Sequence, residues 1–147
     1  MRPIRADELL RLPVRLHGVQ LGRPVELLLD RVGCRALGLE VLCGDGVHRF
    51  LPLPTAAITE DALTISSPLV LLEEDELAFY RKRAFALSSV RGRPVERNGK
   101  AIGTLADVVV GRDGKLAEVI LDPDGDAEKR VPFDETVRLR PGSRSAA

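Results

Sequence analysis

His17 and His48 are the only histidines, and Cys34 and Cys43 the only cysteines, in this chain of 147 residues. Thiolate and imidazole are the ligands zinc prefers, so these four side chains are the first place to look for a metal. Their spacing gives no support, because the sequence has neither a C-x-x-C nor an H-x-x-x-H pair. The segment between the cysteines, Arg35 to Leu42, reads as a strand. Nine steps of about 3.3 Å would hold the two thiols roughly 30 Å apart, far beyond disulfide reach. They are expected as buried or half-buried free thiols, and a nucleophilic Cys–His pair has nothing to bring it together. Asp122-Pro123-Asp124-Gly125-Asp126 opens like a calcium loop, but Ala127 and Phe133 stand where such a loop needs Gly and Glu. It is expected as a solvated acidic turn. The spacing Gly99-x-x-x-Gly103 does not join a strand to a helix, so it lacks the context of a phosphate-binding loop. The remaining carboxylates sit in turns or in one charged segment, with no pair to share acid and base roles. No catalytic, cofactor-binding or metal-binding residue is assigned, no cofactor is expected, and a non-enzymatic role follows.

The composition is that of a globular protein, with 44% hydrophobic and 30% charged residues. Aromatic residues make up only 3%, so the core must be built from Leu, Val, Ile and Ala. A unit of ~70 residues made that way buries little surface and gains from leaning on a second unit. Lys plus Arg equals Asp plus Glu at 22 each. That balance removes the basic excess from which nucleic-acid binders draw most of their affinity, so nucleic acid is an unexpected partner. The longest apolar runs, Leu27 to Leu29 and Leu69 to Leu72, cannot cross a bilayer, and the first eight residues turn acidic early. A cytoplasmic location is expected, and free cysteines suit that compartment.

The elements that must carry any site repeat. Pro13-Val14 and Gly18-Val19-Gln20-Leu21-Gly22 recur 81 residues later as Pro94-Val95 and Gly99-Lys100-Ala101-Ile102-Gly103. Glu26-Leu27-Leu28-Leu29 then falls on Asp107-Val108-Val109-Val110, and Arg31-Val32-Gly33 on Arg112-Asp113-Gly114. One residue is lost at that turn, and the offset becomes 80. Ala36 to Val41 now falls on Leu116 to Leu121, and Arg49 to Leu53 on Lys129 to Phe133. An ordered series of this length reads as two copies of one unit. Asn98-Gly99, Arg112-Asp113-Gly114-Lys115 and Asp124-Gly125 are hairpin signals, and Gly18, Gly22, Gly33, Gly99, Gly103 and Gly114 are read as structural turn glycines.

Between the turns lie β-rich runs, 101 to 110, 116 to 121 and 130 to 133. In the first of these alternation is partial, with Ile102, Thr104, Ala106, Val108 and Val110 sharing one face and Leu105 and Val109 the other. Strands apolar on both faces, joined by short turns, suit a small antiparallel barrel that curls shut. In the first copy Pro24 is expected at a strand start or on an edge. Ala62 to Ile65 reads as an extra strand. Residues 73 to 83 begin acidic and end basic, matching the dipole of one helix, and Leu72, Leu77, Phe79, Tyr80 and Phe85 give it apolar surface to pack with. The expected architecture is mainly β: a first barrel over 1–67, a linker with a helix over 68–86, a second barrel over 87–140 and a disordered tail over 141–147.

The second copy resembles the PRC-barrel family, named for the cytoplasmic domain of the photosynthetic reaction-centre H subunit. The resemblance rests on Val90-Arg91-Gly92-Arg93-Pro94-Val95, on Gly99 to Val110, on Val119-Ile120-Leu121 and on Val131-Pro132-Phe133. It covers Val90 to Leu139, and reaches the first copy only through the repeat. It implies a small β-barrel that serves as a docking module and brings no catalytic residues with it. The expected function is therefore an adaptor or scaffold that binds a protein partner, a homodimer being one such arrangement. A second expectation is a ribonucleoprotein or ribosome assembly factor, which resembles the family's ribosome maturation factor. It requires Arg93, Arg97, Lys100, Arg112, Lys115 and Lys129 to share one face. A third, a barrel that binds a small ligand, requires an internal cavity.

Overall fold

The computed structural model describes residues 3–111, 113–122 and 127–141. In the first part of the chain, β1 (Ile4–Arg5) runs into a single turn of helix, α1 (Ala6–Leu9), and then β2 (Val14–Leu16), β3 (Val19–Asp30), β4 (Ala36–Cys43) and β5 (His48–Pro52). Two short strands follow, β6 (Ala57–Ile58) and β7 (Leu63–Ile65), and then α2 (Glu74–Arg83) and β8 (Ala84–Ala86). The second part contains β9 (Pro94–Arg97), β10 (Lys100–Val110), β11 (Leu116–Leu121), β12 (Lys129–Pro132) and β13 (Val137–Leu139).

The protein is mainly β, with two multi-stranded sheets. One has the order β5-β4-β3-β2-β7-β6 with β8 added to β3, and the other β12-β11-β10-β9-β13 with β1 added to β10. Their registers agree pair by pair. Val14 faces Gly22 and Leu16 faces Val19 in the first sheet, while Val95 faces Gly103 and Arg97 faces Lys100 in the second. Leu27 faces Leu39 where Val108 faces Val119, and Leu39 faces Leu51 where Val119 faces Val131. The shared register includes the irregularities, with shifts between Pro24 and Glu26 and between Leu105 and Asp107.

That shift corrects the faces expected for the residues of β10. A bulge at Ala106 resets the two-residue period, so Leu105 joins Val108 and Val110 in the core instead of lying opposite them. Pro24 is likewise inside the 12-residue β3 and not at its start. It sits in the stretch between the pairing of β2, which ends at Gly22, and that of β8, which begins at Leu28. There β3 has a partner on one side only, so Pro24 stands on an edge, the other place expected for it.

Two further corrections concern pairing and turns. Every pairing of strands is antiparallel except that of β2 with β7, which is parallel through Val14–Leu63, Arg15–Thr64 and Leu16–Ile65. The β6–β7 hairpin reverses the chain once more than in the second sheet, where β13 pairs directly and antiparallel with β9. Gly22 and Gly103 are not turn residues. They lie within β3 and β10, where a Cβ at Gly22 would meet the Leu42 carbonyl at 2.6 Å and one at Gly103 the Leu121 side chain at 2.9 Å. Gly18, Gly33, Gly99 and Gly114 do turn the chain, all with positive φ. His17 and Asn98, at φ 50° and 51°, make the matching first residues of two hairpin turns, which accounts for His17.

β1 and β8 cross over. Ile4 and Arg5 pair with Val110 and Val109 of the second sheet, and Phe85 and Ala86 pair with Leu29 and Leu28 of the first. Both strands sit at the 81-residue offset, as do their partners, so each half lends one strand to the other. β8 falls inside the stretch expected as linker. One core accordingly runs through both sheets, including Leu27, Leu39 and Val41 with Val95, Leu105, Val108 and Val119. The turns also meet, with the Ala36 N–H donating to the Gly114 carbonyl at 2.7 Å. A smaller cluster of Leu28, Phe50, Leu77 and Ala84 lies on the outer face of the first sheet, under α2.

Asp45, Asp113 and Asp134 each accept the N–H two residues ahead, from Val47, Lys115 and Thr136. Arg49 beside Asp45, the Lys115 N–H on Asp113 and the Thr136 hydroxyl on Asp134 hold these carboxyls below their ordinary range. A pKa depressed in the folded state contributes stability above the unfolded value, near 4, that is lost as pH falls through the folded value. Thermal melts should therefore show a midpoint that drops below about pH 4. Asp134→Asn should flatten that drop, and an unchanged acid limb in this variant would show that Asp134 contributes nothing to it.

Candidate interaction groove

Cys34 and Cys43 are both buried and free. Burial pushes the Cys34 thiol up, which keeps it protonated and unreactive. Native protein should react with Ellman's reagent only on the timescale of unfolding, and both thiols should titrate at once in urea. Fast native labelling of Cys34 would contradict its burial. Cys34 occupies the turn after β3, while His48 bonds through Nδ1 to Glu40 Oε2 at 2.7 Å on the outer face of the first sheet. The four side chains considered as zinc ligands are thus dispersed. Among the described residues no three His, Cys, Asp or Glu side chains converge as a metal site would require. The acidic turn at 123–126 lies outside the described residues, as do Arg112 and positions 142–147 of the tail.

The cations wanted by an RNA-binding face are spread along the second sheet. Arg97 and Lys100 are paired at the β9–β10 hairpin. Lys115 lies beyond the opposite end of the 11-residue β10. Arg93 donates to the Arg140 carbonyl at 3.0 Å. The space a ligand-binding barrel would need is filled in the core by fully buried Leu, Val and Phe side chains, and the larger cavities are surface grooves.

A groove of about 820 Å³ lies on the outer face of the first sheet between β3, β4, α2 and β8, with Pro141 also lining it. Val25 is an exposed apolar side chain on its wall, while Leu28 and Phe85, which also line it, are buried. α2 makes one side because its Leu77 is buried against Leu28 and Phe50, and Tyr80 stacks on Phe50 with ring centroids 4.2 Å apart. Of the apolar surface expected for this helix, Phe79 instead faces solvent, under Arg83 at 4.7 Å. Arg81 anchors the helix to the sheet through Glu40 at 2.8 Å.

Two carboxylates mark equivalent places in the halves. Asp107, the only charged residue buried among those described, is 2% exposed. It accepts from Arg5 Nε at 3.2 Å, Arg91 Nη2 at 3.1 Å, the Asp7 N–H at 3.2 Å and the Val108 N–H at 2.9 Å. Burial acts to lower the Arg5 pKa, but its side-chain hydrogen bonds to Glu128 and Asp107 outweigh that and hold it above the usual arginine value. Glu26, the counterpart of Asp107 and half-buried in the groove, accepts from the Leu27 N–H at 3.1 Å, the Ser88 N–H at 3.3 Å and the Ser88 hydroxyl at 2.7 Å. The backbone donors match, since Ser88 is 81 residues from Asp7 and Val108 is 81 from Leu27. The cations do not, because Ala86 and Leu10 stand where the second half has Arg5 and Arg91. Sequence reasoning missed both carboxylates. The alignment of Glu26 with Asp107 was their only trace.

Among the described residues no helix is long and apolar enough to cross a membrane. No curated protein matches the chain. Residues 82–143, from the last turn of α2 to beyond the end of β13, match the PRC-barrel domain.

Proposed function

We propose that this chain is a non-enzymatic adaptor, built from two PRC-like halves, that binds a protein partner in the cytoplasm. The observation that carries this reading is the groove of about 820 Å³ over the outer face of the first sheet. It combines one exposed apolar side chain, Val25, with charged rims, the makeup of a polar-edged contact and not of a packed interior. The two-copy reading is supported by registers that coincide at offsets of 81 and 80, bulges included. The docking role is supported by the PRC-barrel match of the second half. Two halves that exchange strands over one core give a rigid body, and a rigid body presents a surface at low entropic cost. Reducing conditions would also keep the two thiols free.

Affinity purification of the full chain from its native cell, with mass spectrometry, tests the reading. A defined protein should co-purify, survive nuclease treatment and bind again when both components are purified. Loss of the captured protein on nuclease treatment would replace an adaptor with a ribonucleoprotein factor. Enrichment of nothing over control would overturn the adaptor outright.

A further inference from the structure

We infer that the groove of the first sheet accepts an arginine side chain from a partner polypeptide, with Glu26 as its counter-ion. The inference rests on the adaptor reading and specifies its site and the chemistry of its partner.

The protein itself displays the occupied form. At Asp107 a guanidinium arrives from β1, the strand that the first half lends to the second, and bonds through Nε at 3.2 Å. The strand lent the other way is β8, and its residue at the position of Arg5 is Ala86. Arg5 pairs with Val109 across the strands, and Ala86 pairs with Leu28, the counterpart of Val109. Replacing a long cationic side chain by a methyl leaves space above the carboxylate, and both Ala86 and Glu26 line the groove.

Charge singles out the occupant. The other groove carboxylate, Glu40, is already bound by Arg81 at 2.8 Å and by His48 at 2.7 Å. Glu26 receives two N–H groups and one hydroxyl, and among the described residues no Lys, Arg or His lies within ion-pairing distance of it. Arg31 stands exposed among the lining residues but does not reach it. A half-buried carboxylate already oriented by two N–H groups and a hydroxyl is pre-set for a planar, charge-assisted contact, and guanidinium makes that contact better than ammonium. The exposed apolar surface of Val25 suits the methylene stem that carries such a group.

Phage-displayed random peptides selected on the intact protein provide the probe. Enriched peptides should carry an arginine, and replacing it with citrulline should weaken binding at least tenfold. The same loss is expected in Glu26→Gln, which keeps the shape of the acceptor. It is also expected in Ala86→Arg, which should supply the missing guanidinium from within, as Arg5 does at Asp107. Amide NMR spectra of both variants, unchanged away from the groove, establish that they fold. Peptides without arginine, peptides bound equally by both variants, or no enrichment at all would overturn this inference. Co-purification of a nuclease-resistant partner would still uphold the adaptor in each of those cases, so the two readings can fail separately.

Discussion

Asp107→Ala is expected to lower the free energy of unfolding by about 3 kcal/mol, toward the lower end of what breaking a buried ion pair costs. The lower end applies because the stranded partners are not fully dry: the Arg5 and Arg91 side chains are 27% and 36% exposed and can turn to water. The substitution also strips the acceptor from the Asp7 and Val108 N–H groups, each worth about 1 kcal/mol when left unmade. Glu26→Ala removes the same kind of N–H acceptor without stranding a cation, so about 1–2 kcal/mol is expected there. Urea denaturation followed by circular dichroism measures both. Asp107→Asn should fall between them, because an amide oxygen still accepts while the charge is gone. Equal losses at positions 107 and 26 would show that the two guanidiniums contribute nothing, and that the asymmetry between the halves has no energetic weight.

Phe50→Ala should cost more, about 3–5 kcal/mol, the usual range for emptying a buried aromatic site. Phe50 is fully buried, lies against Leu28 and Leu77, and stacks on Tyr80. Its backbone exchanges hydrogen bonds with Leu72, at 2.9 and 2.7 Å, and so ties the start of the helical segment to the edge of β5. Loss of the ring should therefore loosen α2 before it unfolds either sheet. Tyr80 is the only tyrosine and there is no tryptophan, so intrinsic fluorescence reports on this one stack. Its emission should change in Phe50→Ala and largely persist in Phe50→Leu, while amide exchange in 74–83 accelerates in the alanine variant. If those amides stay as protected as in the parent, the helix is held by Glu40–Arg81 and its own backbone hydrogen bonds instead. The groove depends on the same contacts, because α2 forms one of its walls.

The order of strands was open to reading because their signals are local. A hairpin turn is fixed by two residues able to adopt positive φ, and Asn98-Gly99 announces one without any knowledge of the rest of the chain. Similar residues at constant spacing, such as Leu27 and Val108, were visible for the same reason, because each is read from its neighbours in the chain. The helix from Glu74 to Arg83 carried its own dipole-matched charges. The extra strand at Leu63–Ile65 announced itself by its β-branched and aliphatic run, but its direction did not. A parallel or antiparallel neighbour depends on how often the intervening chain reverses, and the short β6 gave no sign of a reversal.

The amino-acid sequence determined where the longer strands extend and where Gly18, Gly33, Gly99 and Gly114 turn the chain, since each of those depends on residues adjacent in the chain. Tertiary structure alone decided the bulge that moves Leu105 into the core, the reciprocal loan of β1 and β8, and the differing company of Asp107 and Glu26. The physical reason is distance along the chain. Arg5 meets Asp107 across 102 residues and Ser88 meets Glu26 across 62, and contacts of that span leave no periodic mark on either partner. A carboxylate becomes a site through what folding places beside it.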